Sequence, residues 1–158
     1  MNNTKKLIIS ALLIAIGVVT AHLISIPVGV ARAFPIQHTI NILSAILLGP
    51  LYAVLNASII SILRNILGLG SLLAFPGSII GALSAGMLYK VSKNKLAALG
   101  GEVFGTGIIG GILAFPVAKF MLGSGATAFA FVIPFLASSL VGAIIGYLII
   151  KTNIFNRM

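Results

Sequence analysis

The chain is a succession of long apolar runs broken by single charges, prolines and pairs of glycines. The first run, Leu7 to Ile26, follows Lys5 and Lys6 and holds about 20 residues, the length one helix needs to cross a ~30 Å hydrocarbon core. Val19, Thr20 and Ala21 resemble a small-residue cleavage site, but a signal core runs to only ~7–15 residues, so the run reads as a retained span. The next uncharged stretch, Ala33 to Leu63, is either one tilted helix or two short ones hinged at Gly49-Pro50. Further apolar runs follow to Lys151.

Charge arbitrates between the two counts. Two helices in the second stretch give six spans, with Lys5, Lys6, Lys90, Lys93, Lys95, Lys151 and Arg157 on one side and Arg32, Arg64 and Lys119 on the other. One helix gives five spans and a weaker division of the same charges. The positive-inside rule favours six spans with both termini cytoplasmic. The expected fold is therefore an all-α membrane protein, one integral membrane domain over residues 1–158. Its helices lie near 7–26, 36–48, 51–67, 74–90, 97–119 and 128–150. The second and third are short for the bilayer and must be shielded by neighbours or begin among the headgroups.

Composition excludes the soluble alternatives. Hydrophobic residues make up 59% of the 158, and 7% are charged, against ~25% in ordinary globular chains. A net charge of +9 would suggest nucleic acid in a soluble protein, but here the basic residues sit at the ends of apolar runs. With no cysteine, no aspartate, one glutamate and two histidines, neither a catalytic triad nor a metal centre can be assembled, and no cofactor is expected. The glycines at 100, 101, 105, 107, 110 and 111 form a packing strip inside a span, with no lysine at phosphate-loop spacing.

Polar side chains at membrane depth are costly, so the few present are the functional candidates. Gln37, His38 and Asn41 share one face at the start of helix two, as helix-capping groups or as a hydrogen-bonding wall for a small ligand. Ser61, Arg64 and Asn65 repeat that pattern at the same leaflet. Arg64 either snorkels to headgroup phosphate or holds a polar or anionic ligand with its fork of donors. Glu102 lies about 6 residues, roughly 9 Å, into helix five, with Thr106 one turn on. It either pairs with Lys93 or Lys95 at the inner interface or points into the bundle. His22 reads as an interface residue and Asn56 as a helix-to-helix hydrogen bond. The tripeptide Ala-Phe-Pro recurs at 33–35, 74–76 and 114–116. It is either a belt aromatic followed by a helix-start or kink proline, or the means by which Phe34, Phe75 and Phe115 ring a cavity for a flat apolar group.

Six spans with an Ala11-x-x-x-Ala15 pair in the first resemble the substrate-binding (S) component of an energy-coupling factor (ECF) vitamin transporter. The segments Phe34-Pro35-Ile36-Gln37-His38 through Asn41, Leu48-Gly49-Pro50, Arg64-Asn65 with Gly68 and Gly70, Ala74-Phe75-Pro76-Gly77, and Gly101-Glu102 through Thr106 resemble the ThiW group within it. The resemblance covers nearly the whole chain and implies uptake of the thiazole precursor of thiamine across the cell membrane. It implies a pocket near the outer face and docking, through Ala11 and Ala15, to a transmembrane coupling subunit of the EcfT type driven by two cytoplasmic ATPases. Gln37, His38, Asn41, Arg64, Asn65, Phe75, Glu102, Thr106 and Phe115 become the expected substrate-side residues, for a small neutral ring such as hydroxyethylthiazole. The alternatives are another vitamin or precursor (hydroxymethylpyrimidine, thiamine), a small transporter without ATP linkage, or a scaffold.

Overall fold

The structure, a computed structural model, describes residues 1–29, 31–127 and 129–152, the side chain of His22 excepted. Arg157 and the His22 side chain therefore lie outside the described residues. Without water to bond to, an apolar run must close its backbone hydrogen bonds within itself, and the runs accordingly form helices.

Helix α1 (Asn3–Leu23) starts where the Asn2 side chain accepts the Lys5 N–H at 3.0 Å. It stops short of the expected Ile26, because Pro27 biases the residue before it away from helical angles. The β-branched segment that follows folds into a short hairpin, β1 (Ile26–Val28) against β2 (Ala31–Ala33), with Pro27 opposite Arg32. Apart from these six residues the regular structure among the described residues is helical, and it fits the expected all-α class. Gly29, at φ +56°, takes a left-handed conformation beside the turn.

Helices α2 (Pro35–Leu48) and α3 (Pro50–Ile66) each place a proline in their first turn, where no N–H is missed, and Gly49 at φ +91° joins them. Helix α4 (Ala74–Ser92) leads through Lys93 and Asn94 into α5 (Lys95–Met121), whose first turn is capped by Asn94 accepting from Leu96 N–H at 2.9 Å. Residues Gly105–Gly110 of α5 form a π-helical turn. Helix α6 (Val132–Lys151) begins four residues later than the expected 128. The three Ala-Phe-Pro segments fall at inequivalent places: Pro35 and Pro76 in first turns, Pro116 inside α5.

Helices Asn3–Ala21, Lys95–Met121 and Val132–Lys151 are long and apolar enough to cross a membrane, and Pro35–Leu48 and Pro50–Ile66 are apolar but shorter. Large apolar side chains such as Leu12, Val19, Phe120, Ile133 and Leu148 are exposed on the outside of the bundle, as a lipid-facing surface requires. Inside, small residues let the short helices approach closely. Ala45, Ala53, Ala57, Ala82 and Ala85 are fully buried between α2, α3 and α4, and a Cβ on Gly86 would lie 2.5 Å from Pro50 Cα.

The start of α1, the α2–α3 joint, the α4–α5 joint and the end of α6 share one end of the bundle; Lys6 lies over the Tyr52 ring and Gly86 over Pro50. The hairpin, the end of α3, the segment 67–73 and the start of α4 share the other.

Candidate functional site

At the hairpin end the helices part around a cavity of about 540 Å³, within the ~300–1,000 Å³ usual for small-molecule sites. Its roof comes from Ser25, Ala31 and Arg32 of the hairpin region and from Gly68–Ser71 after α3. Phe34, Gln37 and His38 form the α2 wall, Arg64 the α3 wall, Gly77 and Ser78 the α4 wall, and Phe135 and Ser138 the α6 wall.

These side chains are held by one another. Arg64 is only 1% exposed and turns inward rather than to the headgroups. Its guanidinium carbon lies 3.6 Å from the centre of the Phe34 ring, one amino group donates to Gln37 Oε1, and the other reaches Leu69 O at 3.4 Å. Its Nε has no partner among the described residues. Gln37 Nε2 donates to Ser61 Oγ at 3.0 Å, and Ser61 Oγ meets Ser78 Oγ at 2.9 Å, tying α2, α3 and α4 together. The Phe34 N–H donates to Ser138 Oγ at 2.8 Å, fixing the entry to α2 against α6. No side chain caps α2, so the Gln37, His38 and Asn41 face serves the interior instead.

Beneath the cavity lies a second layer. Glu102 is fully buried, so the alternative of a surface pair with Lys93 or Lys95 does not hold. Its Oε1 meets His38 Nδ1 at 2.8 Å and accepts from Asn41 Nδ2 and Thr106 Oγ1, each at 3.0 Å. Asn41 also reaches Ser78 O, and Thr106 also reaches Gly77 O. Glu102 Oε2 and Asn41 Oδ1 stay unpartnered. Only His38 of this set reaches the cavity wall. The glycines explain how so many polar groups fit. A Cβ on Gly81 would collide with Thr106 Oγ1 and lie 2.8 Å from Glu102 Oε1. One on Gly142 of α6 would lie 2.7 Å from His38 Cβ. The π turn contains Thr106, and such turns recur at functional positions because they re-aim side chains within a helix.

Of the expected residues, the structure brings Gln37, His38 and Arg64 to the wall and places Asn41, Glu102 and Thr106 directly behind it. Asn65 lies beside it, its Nδ2 bonding Ser61 O and Ser71 O and thereby pinning the roof segment. Phe75 and Phe115 are not on the wall. The idea of a ring of three Ala-Phe-Pro phenylalanines is corrected on this point, because Phe75 starts α4 and Phe115 lies well along α5, where Lys119 sits over its ring. Phe135 supplies the second aromatic face instead. Sequence reasoning missed Phe135, Ser138 and the wall position of Arg32. Their one signal was the three-residue spacing of Phe135 and Ser138 on α6. Asn56 does bridge helices, donating to Ser44 Oγ at 3.0 Å.

The arrangement is a cavity lined by two aromatic rings, two cations and few other donors. The profile of the family described as thiamine-precursor transporter protein (ThiW) matches residues 7–154. No curated protein and no solved structure matches the chain.

Proposed function

The chain belongs to the ThiW family of thiamine-precursor transporters, and from that premise we propose that it is the substrate-capture subunit of an ECF-type importer, taking up the thiazole precursor, hydroxyethylthiazole. As a membrane transporter of this family it handles a small molecule within the lipid bilayer. The observation that carries the finer reading is the cavity, sized for a small ring and lined by Phe34 and Phe135 together with a few donors. A flat ring packs between aromatic faces. Gln37, His38, Arg64 and Ser138 then offer hydrogen bonds to the ring nitrogen and the arm, while Asn41, Glu102 and Thr106 hold His38 in place from below.

The orientation follows from charge. Lys5, Lys6, Lys90, Lys93, Lys95 and Lys151 gather at the end away from the cavity, against Arg32, Arg64 and Lys119 at the cavity end. Six spans with cytoplasmic termini put the cavity at the outer face, where a capture subunit meets its substrate. Ala11 and Ala15 are both exposed on α1, away from α2 and α3, and offer a small-residue surface to a coupling subunit of the EcfT type. Energy comes from two partner ATPases, since the chain has no phosphate-binding loop.

Uptake of labelled hydroxyethylthiazole into cells expressing the chain tests this. The proposal expects accumulation that requires both the chain and the ATPases. Uptake that persists without any ATPase would leave a solitary transporter, and no uptake of any thiamine precursor would remove the reading.

A further inference from the structure

We infer that the molecule this cavity takes carries an oxyanion, a carboxylate or a phosphate ester, that Arg64 and Arg32 receive. The inference rests on the proposed reading for the ring and departs from it for the arm, since hydroxyethylthiazole itself carries no oxyanion and its phosphate ester does.

A charge inside the bilayer needs a partner of opposite sign. Arg64 is 1% exposed, and a buried guanidinium without a counter-charge is costly. The chain has a single carboxylate side chain, Glu102, and its bonded oxygen is already taken by His38, Asn41 and Thr106. No side chain therefore remains to neutralise Arg64. Its compensation comes from the Phe34 ring, the neutral Gln37 oxygen, a long contact to Leu69 O and the carbonyl end of α3, whose last turn it occupies, none of which is a full negative charge, and its buried Nε has no partner among the described residues. Arg32 of β2 adds a second cation to the cavity lining, from the roof.

The missing negative charge must then come from outside the chain, and the cavity is where it can enter. A guanidinium presents parallel N–H groups that match two oxygens of a carboxylate or phosphate. Size agrees. A ring alcohol of about nine non-hydrogen atoms, given the ~30 Å³ that each water occupies in the liquid, fills about half of the 540 Å³. Room remains at the cationic side for an oxyanion. The polarity of the lining also agrees, with Phe135 and Phe34 for the ring and Arg64 stacked on Phe34 beside it.

The test compares neutral and anionic partners of the same ring. Affinities are measured by titration calorimetry with the full chain in zwitterionic nanodiscs. The probes are hydroxyethylthiazole and its phosphate ester, a thiazole carboxylate and its methyl ester, and hydroxymethylpyrimidine and its phosphate. The inference expects the anionic member to bind roughly 10- to 100-fold tighter, the range for a hydrogen bond to a charged group. That preference should shrink to about twofold in Arg64→Gln and fall partway in Arg32→Gln, whose exposed position leaves the fold intact. Equal or tighter binding of the neutral member in every pair overturns the oxyanion inference and, where the thiazole binds, leaves the thiazole reading standing. An anion preference seen only with the pyrimidine pair sustains the inference and overturns the thiazole reading. Binding of none of the six overturns both, and an anion preference unchanged in both arginine variants removes these residues as its cause.

Discussion

Replacing Glu102 with alanine strikes the layer that holds the site. Three donors from three positions converge on one carboxylate oxygen. Asn41 and Thr106 keep second acceptors, Ser78 O and Gly77 O, when it is lost. His38 Nδ1 keeps none among the described residues, so one buried polar group is stranded, at about 1–3 kcal/mol. The space left by the side chain adds roughly 1–2 kcal/mol and closes in part as neighbours relax, leaving about 2–4 kcal/mol in all. Glutamine in the same place keeps an acceptor oxygen and the volume, so Glu102→Gln should cost only about 1 kcal/mol. At roughly 2–4 °C per kcal/mol for a chain of this size, the alanine variant should melt roughly 5–15 °C lower and the glutamine variant about 2–4 °C lower. The chain has no tryptophan, so the melt is best followed by far-ultraviolet circular dichroism in nanodiscs. If the two variants melt together, close to the unaltered chain, the Glu102 cluster does not hold α2, α4 and α5 together and the reasoning fails.

Three further outcomes follow from close contacts and exposed faces. A Cβ on Gly77 would lie 2.8 Å from Phe135 Cε2, so Gly77→Val should drive the ring into the cavity and weaken ligand binding by roughly tenfold or more in calorimetry. Gly86→Leu should cost about 1–3 kcal/mol by prising α4 from Pro50, read as a lower melting temperature with ligand contacts untouched. Ala11→Trp and Ala15→Trp, on an exposed face, should shift stability by less than about 0.5 kcal/mol. The same changes should reduce co-purification of the coupling subunit and ATPases, and unchanged recovery would remove that face as the docking surface.

The helices were legible because apolar runs in lipid leave the backbone no other way to satisfy its hydrogen bonds. Their ends were less so. Pro27 and its β-branched neighbours end α1 early, and two strands of three residues are too short to leave a periodicity. The Gln37, His38 and Asn41 face was readable from spacing alone, since three and four residues make one turn. Glu102 was visible as the lone acid, but its partners were not, because they come from helices distant in sequence. Phe135 was hidden among nine phenylalanines. The repeated Ala-Phe-Pro drew the eye to Phe75 and Phe115, whose tripeptides match in letters but sit at different heights on their helices. A neutral ligand looked natural from the small number of charges; what matters is that Arg64 is buried without a counter-charge, which only the three-dimensional pairing of Glu102 with His38 reveals.

The central claim is that this chain alone captures a thiamine precursor in the cavity between Phe34, Arg64 and Phe135. Its most direct test is calorimetric titration of the purified chain, without ATP or partners, with hydroxyethylthiazole and its phosphate ester. Saturable binding of one molecule per chain is expected, weakened at least about tenfold by Phe34→Ala, which removes one aromatic ring. Absence of binding by every thiamine precursor, or binding indifferent to Phe34→Ala, would contradict it.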